Sequence, residues 1–595
     1  MRLTNVAHLR LPFGRLYGYD VTVSADGDPL PISFDQHRHV SAGPRPGSWM
    51  ALSFRLADPV PREALAQAWL AVIARHGTLR SAFSLDSADE LTLHAVDIGP
   101  GAWVEHPVAP GEAENDTLQA VLDDACSPFN RPAHRLCVLE TATGPTVVVA
   151  ADHSHVDMWS MLVILRDLVG ALENFGARSD KECRSRHPSP APVLPFAEHT
   201  RQYAERPDAP ASVRTRWAEI ISESGGVMPR FPLPLGAPEA HCERVEVRDV
   251  FDVDDSAAFG AHARALGVST LSLGVSAMTA VTLEMADAPL RAVFPVHSRY
   301  DQSWHDSVGW FITNSVISSG DAEPAAAAAA VKEAVQLGSW PLHDVLAPWG
   351  GMPEAPGMFA ISWLDLRRLP VRVDSIGLAA QYVGASIRTD GVMLWFILDG
   401  TGLHLRCRYP DTPEARTNVG GWLDRLVALL RETARQSIGA QLQVGGQTYR
   451  VERAERADVG DLAALLADDE VGAAREIGEL GPYEAAFDVV ARDRSSFLAV
   501  VRDVDRRAVG TMHLTVLPGL TRGGTTRLQI EGLRVAADHR SRGLGTAMLE
   551  WAHRHGRAHG ATLAQVTTDE VRDRARAFYA RLGYGTEHVG LKRQL

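Results

Sequence analysis

The sequence predicts a mixed α/β (or α+β) protein with several structural units, on its length and on two kinds of apolar pattern. The chain has 595 residues, more than one hydrophobic core organises, so about three or four units are expected. Apolar residues recur at a spacing of three to four, which predicts helices, at Arg62–His76, Ser160–Phe175 and Val419–Ala434. Short apolar runs predict buried strands at Thr146–Ala150, Arg291–Pro295, Met393–Leu398 and Leu403–Tyr409. Because strands and helices mix along the whole chain, the class is α/β or α+β.

The composition is that of a globular protein with an acidic surface. Of the residues, 45% are hydrophobic and 22% are charged, and the net charge at pH 7 is −14 with no long basic run. This balance argues against nucleic acid or an anionic membrane as the main partner. The five cysteines show no CxxC pairing, and we find neither a signal peptide nor a run of about eighteen apolar residues. A cytoplasmic protein without a membrane span is therefore expected.

Three segments interrupt the periodic pattern and suggest boundaries. Gly176–Pro195 is polar and proline-rich, which predicts a long surface loop, and Met228–Pro238 predicts a crossing between two lobes. Ser437–Gln447 separates an amphipathic helix from a new strand pattern, and we take it as the main domain boundary. The alanine run Ala325–Ala330 continues into VKEAVQL and predicts a helix by propensity.

The segment Ala151–Ser160, with the sequence ADHSHVDMWS, carries the densest cluster of chemically useful groups. It follows a predicted strand and presents His153, His155 and Asp157 within five residues. Polar groups at the end of a buried strand are costly unless they are paired or take part in chemistry. Two interpretations are open at this point. The three residues form a metal site, or His153 and Asp157 belong to a histidine acyl-transfer site.

A phosphate-binding pattern lies near the C-terminus. Arg527–Val535 predicts a strand and Ala536–His539 a short loop, and a helix follows with the sequence AMLEWAHRHGRAHG. Between loop and helix stand two glycines and two arginines, in the run Arg540-Ser-Arg542-Gly543-Leu-Gly545-Thr546. Glycines at such a turn let backbone N–H groups approach a pyrophosphate, and the helix dipole and the arginines favour its negative charge. An ordinary glycine turn before a helix has the same pattern.

The C-terminal pattern resembles the GNAT family of N-acetyltransferases, whose R/Q-x-x-G-x-G/A loop binds acyl-CoA. The resemblance runs from about Tyr449 to Leu595. It includes a second element, Arg574–Tyr584, which is similar to the family's terminal A-x-x-F-Y-x-x-L-G-F/Y helix and turn. The resemblance implies acetyl-CoA or another acyl-CoA as the cofactor.

The same resemblance implies roles for individual residues. Glu531 takes the position of the general base on the strand before the loop, and Tyr579 that of the general acid near the thiol. The alternatives are a solvated strand carboxylate for Glu531 and a packing aromatic for Tyr579. The resemblance places cofactor binding at the strand end and the loop, on Leu533, Val535, Arg540, Arg542, Gly543, Gly545 and Thr546.

Four segments of the N-terminal part follow an order typical of a second family. They are Ser33–Arg38, Arg75–Phe83, the His153 segment with Trp159 and Ser160, and Val308–Asn314. This order resembles the condensation domains of nonribosomal peptide synthesis, within the chloramphenicol acetyltransferase-like superfamily, over about 30–434. It implies two chloramphenicol-acetyltransferase-like lobes with a tunnel between them, at 1–230 and 231–436, followed by a GNAT domain at 448–595.

The condensation resemblance also interprets the His153 segment. The family's active-site pattern is H-H-x-x-x-D-G, and alignment on Asp157 makes His153 the second histidine. His153 would orient or deprotonate the acceptor as it attacks a thioester. Asp157 would be structural, with Arg299 as its expected partner, and Asn314 would be a polar contact near the tunnel.

Two departures from that pattern leave a first alternative open. Asp152 replaces the first histidine, and it is expected to stabilise a charged imidazole and so to raise the pKa of His153. Met158 replaces the glycine and adds bulk where the backbone is expected to need freedom. The alternative is a condensation-like part that binds ligands without catalysing a reaction, because a fold does not imply a function.

A metal-dependent hydrolase is the second alternative. His153-x-His155-x-Asp157 matches the start of the H-x-H-x-D-H cluster of metallo-β-lactamase-like hydrolases. Met158 occupies the last histidine position, however, and a thioether is a poor zinc ligand beside imidazole. Because no convincing later ligands are found, no metal is expected, and His155 is expected to lie behind the catalytic residues.

Together the two resemblances predict a two-part acyltransferase of small-molecule, or specialised, biosynthesis. The N-terminal part would transfer a carrier-bound or CoA-bound acyl group to an amine or alcohol, and the GNAT part would acetylate an amine. The sequence shows no obvious carrier-protein segment, so an acyl or peptidyl carrier protein is expected to act in trans. Neither nucleic acid nor a membrane is an expected partner.

Overall fold

A computed structural model shows two compact units. The first unit comprises Met1–Val250 and Val268–Leu430, and the second comprises Phe251–Gly267 and Arg431–Leu595. The structure describes residues 1–141, 144–179, 193–435, 441–468, 470–474, 476, 478–493, 495–569, 571–585 and 593. The boundaries predicted after residues 230 and 436 stay predictions.

An eight-stranded sheet forms one half of the first unit. Its strands in spatial order are β1 (Arg2–Asn5), β12 (Gln381–Gly384), β3 (Trp49–Arg55), β7 (Thr146–Asp152), β6 (His134–Glu140), β2 (Arg15–Pro29), β5 (Leu91–His106) and β4 (Ser81–Leu85). The β1–β12 pair is parallel, and the other neighbours are antiparallel. A strand from late in the sequence, β12, thus lies between two early ones.

A seven-stranded sheet forms the other half of the first unit. Its strands in spatial order are β10 (Ile312–Ser319), β9 (Leu290–His297), β11 (Phe359–Asp365), β14 (Val392–Asp399), β15 (Gly402–Pro410), β8 (His241–Phe251) and β13 (Arg388–Thr389). The helices of the first unit are α1 (Phe34–Ser41), α2 (Arg62–Arg75), α3 (Glu114–Ala125), α4 (Met158–Ser179), α5 (Phe196–Ala204), α6 (Ala211–Glu223), α8 (Thr270–Ala286), α9 (Pro324–Leu337), α10 (Leu342–Val345) and most of α11 (Pro413–Arg435).

Strand β7 is buried on both faces, and this burial fixes the start of the His153 segment. Val147 and Val149 belong to one hydrophobic cluster, and Val148 and Ala150 belong to another. This alternation follows from the period of two along a strand. Each fully buried valine contributes about 1.5–3 kcal/mol, so the strand end is a rigid place from which to present polar side chains.

A six-stranded sheet organises the second unit. Its strands are β16 (Gln441–Val444), β17 (Gln447–Arg453), β18 (Ser496–Arg502), β19 (Ala508–Leu517), β20 (Arg527–Val535) and β21 (Leu563–Val566), antiparallel except for the last pair. Its helices are α7 (Val253–Ala265), α12 (Val459–Ala467), α13 (Glu470–Ala473), α14 (Gly481–Val490), α15 (Thr521–Gly524), α16 (Leu544–Ala558) and α17 (Asp573–Arg581).

The helices and strands predicted from apolar periodicity are confirmed, with ends that shift by a few residues. The largest shift is at the start of α11, which begins at Pro413 and not at Val419. Helix α4 continues to Ser179 and takes in the first residues of the predicted loop Gly176–Pro195. Most of that loop, with Cys183, lies outside the described residues, as do residues 436–440 of the predicted boundary Ser437–Gln447. The described cysteines, Cys126, Cys137, Cys242 and Cys407, are free thiols.

No single helix in the described part of the chain is long and apolar enough to cross a membrane. Helices α7 and α8 are long and apolar enough only when they are taken together as a bent pair.

Candidate functional site

The first candidate site surrounds His153, at the C-terminal end of β7. The backbone N–H of His153 donates to the carbonyl of Ser48 at 2.9 Å, and its ring stacks on Trp310 with the centroids 4.2 Å apart. Trp310 precedes β10, so this contact joins segments that border the two sheets of the first unit. Nδ1 of His153 is buried and makes no hydrogen bond with the described residues.

The imidazole of His153 is neutral at neutral pH. Burial, together with the nearby His39, lowers the pKa of His153 to about 4. The backbone carbonyl of His153 and the carboxylates of Asp152 and Asp157 act to raise the pKa, but their effect is smaller. The expectation that Asp152 raises the pKa of His153 is confirmed for its own contribution, but burial outweighs the attraction of the carboxylate, so the net pKa falls. A neutral imidazole keeps a lone pair that can accept a proton.

Asp152 is held by residues other than His153. His39, on α1, donates from Nε2 to both carboxylate oxygens at 3.2 Å, and the N–H of Ser154 donates at 2.9 Å. Arg45 donates to Nδ1 of His39 at 2.8 Å, which leaves the ring proton on Nε2. Burial would raise the pKa of Asp152, but the hydrogen bonds from His39 and Ser154 lower it to about 2. We call Arg45, His39, Asp152 and Ser154 the Asp152 network.

Asp157 and Arg299 form a buried ion pair within the first unit. Nη2 of Arg299 lies 3.2 Å from Oδ1 of Asp157, and neither side chain is more than 2% exposed. Asp157 also accepts from the N–H groups of Ser160 at 2.6 Å and of Phe311 at 3.0 Å. Arg299 is thus confirmed as the partner of Asp157. These contacts hold the start of α4 against the segment before β10. Asp157 therefore has a structural role, because it fixes the segments that surround His153.

Met158 begins α4 and does not need the conformational freedom of a glycine. Its φ lies outside the left-handed region, and its carbonyl accepts from the hydroxyl of Tyr382 at 2.8 Å. The expectation that the backbone needs glycine here is therefore wrong, since a right-handed helical residue suits any side chain of this kind.

His155 is engaged on both ring nitrogens. Nδ1 lies 2.9 Å from Oγ of Ser154, and Nε2 lies 3.3 Å from the carbonyl of Ser81. Asp157 is occupied by its ion pair. Within the described residues, His153, His155 and Asp157 do not converge as a possible metal-ligand group. The hydrolase alternative thereby loses its ligand set.

A cavity of about 690 Å³ opens beside the Asp152 network. Helix α1 and the turn after it supply one wall through Arg38, His39 and Arg45, and residues 349–354 contribute to the other. The rings of His39 and His153 have centroids 6.1 Å apart. His39 lines the cavity and His153 does not, so the cavity comes near His153 only through the ring of His39.

Helix α1 also carries a buried carboxyl group that the sequence did not single out. Burial raises the pKa of Asp35 to about 6, against the charge of Arg38 and a hydrogen bond from Asn314, which lies 3.4 Å away. Gln36 donates from Nε2 to the carbonyl of Ser154 at 2.8 Å. The helix that supplies Asp35 therefore also contacts the His153 segment.

The sequence missed three residues that contact this site: His39, Arg45 and Trp310. His39 directly follows the Ser33–Arg38 segment, and Trp310 lies inside the Val308–Asn314 segment. Both residues stand in or beside family-like segments, so an imidazole or indole there is the feature of the sequence that could have indicated a contact with His153. Arg45 belongs to no pattern that links it to His39.

The second candidate site lies along the C-terminal half of β20, in the second unit. β21 pairs with β20 only through Arg527–Ile530, so residues 531–535 have no described partner strand on that side. Glu531 is exposed and stands opposite His513 of β19 in the strand pairing. Burial lowers the pKa of His513, against the charge of Glu531.

Helix α16 begins without a side-chain cap. Its N-cap residue is Gly543, with a φ of +94°, a left-handed value that favours glycine. A glycine at this position has no side chain to satisfy the first N–H groups of the helix, and these groups favour an anion. Thr546 is half-buried in the same first turn. This geometry fits the pyrophosphate of an acyl-CoA.

The predicted arginines and strand positions are partly engaged within the protein. Arg540 donates to the carbonyl of Val535 at 2.8 Å and pairs with Asp468 at 2.7 Å, whereas Arg542 is exposed. The carbonyl of Leu533 accepts from the side chain of the next residue at 3.0 Å. A ligand that binds the carbonyls of Leu533 and Val535 would have to compete with the arginine side chains that donate to them. The exposed Arg542 could bind a ligand without giving up such a contact.

Tyr579 lies on α17 in an aromatic cluster. Its ring centroid is 5.3 Å from that of Phe578 and 5.6 Å from that of Tyr584. Burial raises its pKa, against two nearby arginines, so the phenol is protonated at neutral pH. A Cβ placed on Gly545 would lie 3.5 Å from the Phe578 ring, which puts α17 beside the first turn of α16.

Comparison with protein families and curated proteins gives two findings on the sequence. A family model described as the acetyltransferase (GNAT) family matches residues 464–584. The nonribosomal peptide synthetase fso1 of Omphalotus olearius is 24% identical over 234 residues, which covers 37% of this chain and 5% of that protein. The chain thus spans only a small part of that relative's length.

Comparison with solved structures extends the similarity over the first unit. The PapA2 acyl transferase superposes with a TM-score of 0.63 at 19% identity, over 73% of this chain and 100% of that one. The first condensation domain of the CDA synthetase superposes with a TM-score of 0.51 at 13% identity, over 69% of this chain and 98% of that one. At these identities the likeness concerns the fold.

Proposed function

We propose that this chain, an acyltransferase that joins two chloramphenicol-acetyltransferase-like, condensation-type lobes to a GNAT domain, works in two parts in small-molecule biosynthesis. The first unit would pass a thioester-bound acyl group to an amine or alcohol. The second unit would acylate an amine from acetyl-CoA or another acyl-CoA. The observation that carries the proposal is the neutral His153, stacked on Trp310 beside a cavity of about 690 Å³.

In the first unit, His153 acts as the proton acceptor. It takes the proton from the acceptor's N–H or O–H as the nitrogen or oxygen attacks the thioester carbon. A C–N or C–O bond forms, the C–S bond breaks, and the imidazolium returns the proton to the departing thiolate. Because burial lowers the pKa of His153 to about 4, the imidazolium is a strong enough acid to give that proton up.

The Asp152 network supports an active site over a module that only binds. Arg45 and His39 offset the charge of the Asp152 carboxylate through a chain of hydrogen bonds. The carboxylate is thereby kept from converting His153 to an imidazolium that could no longer accept a proton. On this interpretation Asp152 retunes the site and does not switch it off.

In the second unit, the uncapped first turn of α16 and Arg542 would hold the diphosphate of an acyl-CoA. The bound cofactor supplies an activated thioester carbonyl. Glu531 would accept a proton from the acceptor amine, directly or through one water, and Tyr579 would donate a proton to the sulfur. The raised pKa of Tyr579 keeps its phenol in the protonated form that this role needs.

A carrier protein acting in trans is a proposed donor for the first unit, with free acyl-CoA as the alternative donor. Both present the same thioester. The enclosed position of His153 requires the thioester to reach it through a cavity, as a slender pantetheine arm can.

Activity with two matched variants tests the first unit. Full-length protein is offered acyl-CoA and acyl-pantetheine thioesters with a panel of amines and alcohols, and products are identified by mass spectrometry. We expect the His153→Ala variant to lose the first unit's products by roughly 10²–10⁴-fold, the usual worth of a general base. The Glu531→Gln variant, changed only in the second unit, should keep them. Unchanged product formation by His153→Ala would leave the binding-only alternative standing.

Calorimetric titration with acetyl-CoA tests the second unit. Gly543 and Gly560 stand at opposite ends of α16 and both have a left-handed φ, of +94° and +81°. An added Cβ strains both positions alike, but only the Gly543→Ala variant should weaken acetyl-CoA binding. Equal affinity in the Gly543→Ala variant, or no binding by the unchanged protein, would contradict the cofactor assignment.

A further inference from the structure

Three potential metal ligands meet in the second unit, away from Glu531 and from the start of α16. Asp254 lies on α7, His555 in the last turn of α16, and His559 directly after that helix. Nδ1 of His555 lies 2.9 Å from Oδ1 of Asp254, and Nε2 of His559 lies 3.8 Å from Oδ2. All three ligand atoms lie within 4.8 Å of one another.

Two atoms of this cluster are buried without a hydrogen bond. Oδ2 of Asp254 and Nδ1 of His555 have no hydrogen-bond partner in the described structure. Nδ1 of His555 approaches the carboxylate closely without the alignment that a hydrogen bond requires. Buried polar atoms left in this state are rare and call for an explanation, and an ion between them is one.

The tautomer of His559 is set by a second contact. Its Nδ1 lies 2.8 Å from the carbonyl oxygen of His555, and a carbonyl can only accept, so Nδ1 carries the proton. The lone pair of a neutral ring is then on Nε2, the nitrogen that faces Asp254. Metal-binding histidines are commonly oriented in this way, by donating the other ring N–H to a carbonyl.

The two histidines also have the spacing and the support of a helical metal site. They stand four residues apart, which places them on one face of a helix. Their ring centroids are 4.3 Å apart, and Trp551 stacks on His555 at 5.2 Å. Phe497 lies 5.0 Å from the same ring. The imidazoles are therefore held by packing before any ligand arrives.

We propose that Asp254, His555 and His559 bind a divalent transition-metal ion of the zinc class. Two imidazole nitrogens and one carboxylate suit Zn²⁺ better than Mg²⁺ or Ca²⁺, which prefer all-oxygen ligands. Tetrahedral Zn²⁺ sets its ligand atoms about 3.3 Å apart, between the two separations of 2.9 and 3.8 Å. Water completes the coordination.

The ion would join α7 to the end of α16 within the second unit. Asp254 is far from the histidines in sequence, so a shared ion closes a long loop of chain and stabilises the folded unit by mass action. The proposal is independent of the acyl-transfer chemistry, because none of the three residues is part of either candidate active site.

Zinc binding by the full-length protein tests the proposal. The protein is stripped with EDTA and dialysed, then titrated with Zn²⁺ against a competing chelator, and the bound metal is counted by mass spectrometry. We expect one tight Zn²⁺ per chain and no comparable binding of Mg²⁺. Substitution of a residue that only supports a metal ligand lowers metal affinity by roughly 10–100-fold. Because His559→Ala and Asp254→Asn change the ligands themselves, we expect zinc affinity to fall by more than that.

His262→Ala is the matched control, because His262 lies on α7 outside the cluster. The control should keep the tight site, and zinc should raise its melting temperature as in the unchanged protein. Zinc should not raise the melting temperature of Asp254→Asn, which is nearly isosteric and so decides the case if His559→Ala folds poorly. Absence of tight zinc binding, or equal binding by the Asp254→Asn variant, would overturn the proposal in favour of an Asp254–His555 ion pair alone.

Discussion

The two candidate active sites handle a proton in different surroundings. In the first unit, His153 is enclosed, its pKa is lowered to about 4, and neighbouring Asp152 and Asp157 are each held by several hydrogen bonds. In the second unit, Glu531 is exposed on a strand half that has no described partner on the β21 side. On the proposed function, the first site would be electrostatically prepared before a substrate arrives, while the second would be completed by what binds along the strand. Substitutions should therefore change intrinsic chemistry in the first unit and ligand affinity in the second.

The largest effect is expected from breaking the ion pair that supports the enclosed site. Arg299→Ala leaves Asp157 as a buried, unpaired charge and should lower the free energy of unfolding by about 3–5 kcal/mol. Urea unfolding of full-length protein measures it. Arg216→Ala breaks partly exposed ion pairs with Glu333 and Glu219 and should cost less than about 1 kcal/mol. Equal losses in the two variants would contradict the conclusion that the buried Asp157–Arg299 pair supports the first unit more strongly than a partly exposed pair does.

The pH dependence of the first unit should show how far burial tunes His153. On the proposed function the neutral imidazole of His153 is the active form, so the rate should fall tenfold per pH unit only below about pH 4. The free energy of unfolding should also decrease as the pH falls. The unfolded chain takes up this proton near pH 6.5 and the folded chain only near 4, so stability is lost as the pH falls between these values. Initial rates from about pH 3 to 8 with parallel circular dichroism test this, and an acid limb near 6.5 would contradict it.

Exchanging members of the Asp152 network should move that acid limb by a smaller amount. His39 lowers the pKa of His153 and Asp152 raises it. His39→Leu should therefore shift the limb upward, toward but not reaching 6.5, and Asp152→Asn should shift it downward. The pH profile of kcat is the measurement. Shifts of the same sign in both variants would argue that the network acts only through packing.

The smallest effect is expected at the open site. Arg542 is exposed, so Arg542→Ala should weaken acetyl-CoA binding by up to about 1 kcal/mol, roughly fivefold, at low ionic strength. Added salt should shrink the difference, since exposed charges are screened. Arg554→Ala, an exposed arginine further along α16, should leave the affinity unchanged. A salt-independent loss in Arg542→Ala would indicate an enclosed contact instead.

Local pattern predicted the elements well, and it predicted one contact between distant residues. Strand β7 is a short apolar run whose burial leaves few alternatives, β20 alternates polar and apolar residues in its first half, and α2 and α16 follow apolar periodicity. The partner of Asp157 was predicted from the order of family-like segments, because Arg299 precedes one of them.

The environment of Asp152 could not be predicted in the same way. Adjacent side chains at a strand end point in different directions, so sequence proximity to His153 did not imply contact. A hydrogen-bond partner of Asp152 is His39, which lies on helix α1, far from Asp152 in sequence. The sign of the pKa shift on His153 likewise depends on burial, which is a property of the assembled fold. The cluster of Asp254 with two histidines escaped detection because its carboxylate lies far upstream in sequence.

The place of β12 in the first sheet has a consequence for how the chain is made on the ribosome. Its four residues, Gln381–Gly384, lie between β1 and β3, which are among the earliest segments to emerge. Until β12 has been synthesised, the facing edges of β1 and β3 have no partner and can pair with other chains. Truncation after residue 230 would make that exposure permanent, so expressing the predicted N-terminal lobe alone invites aggregation.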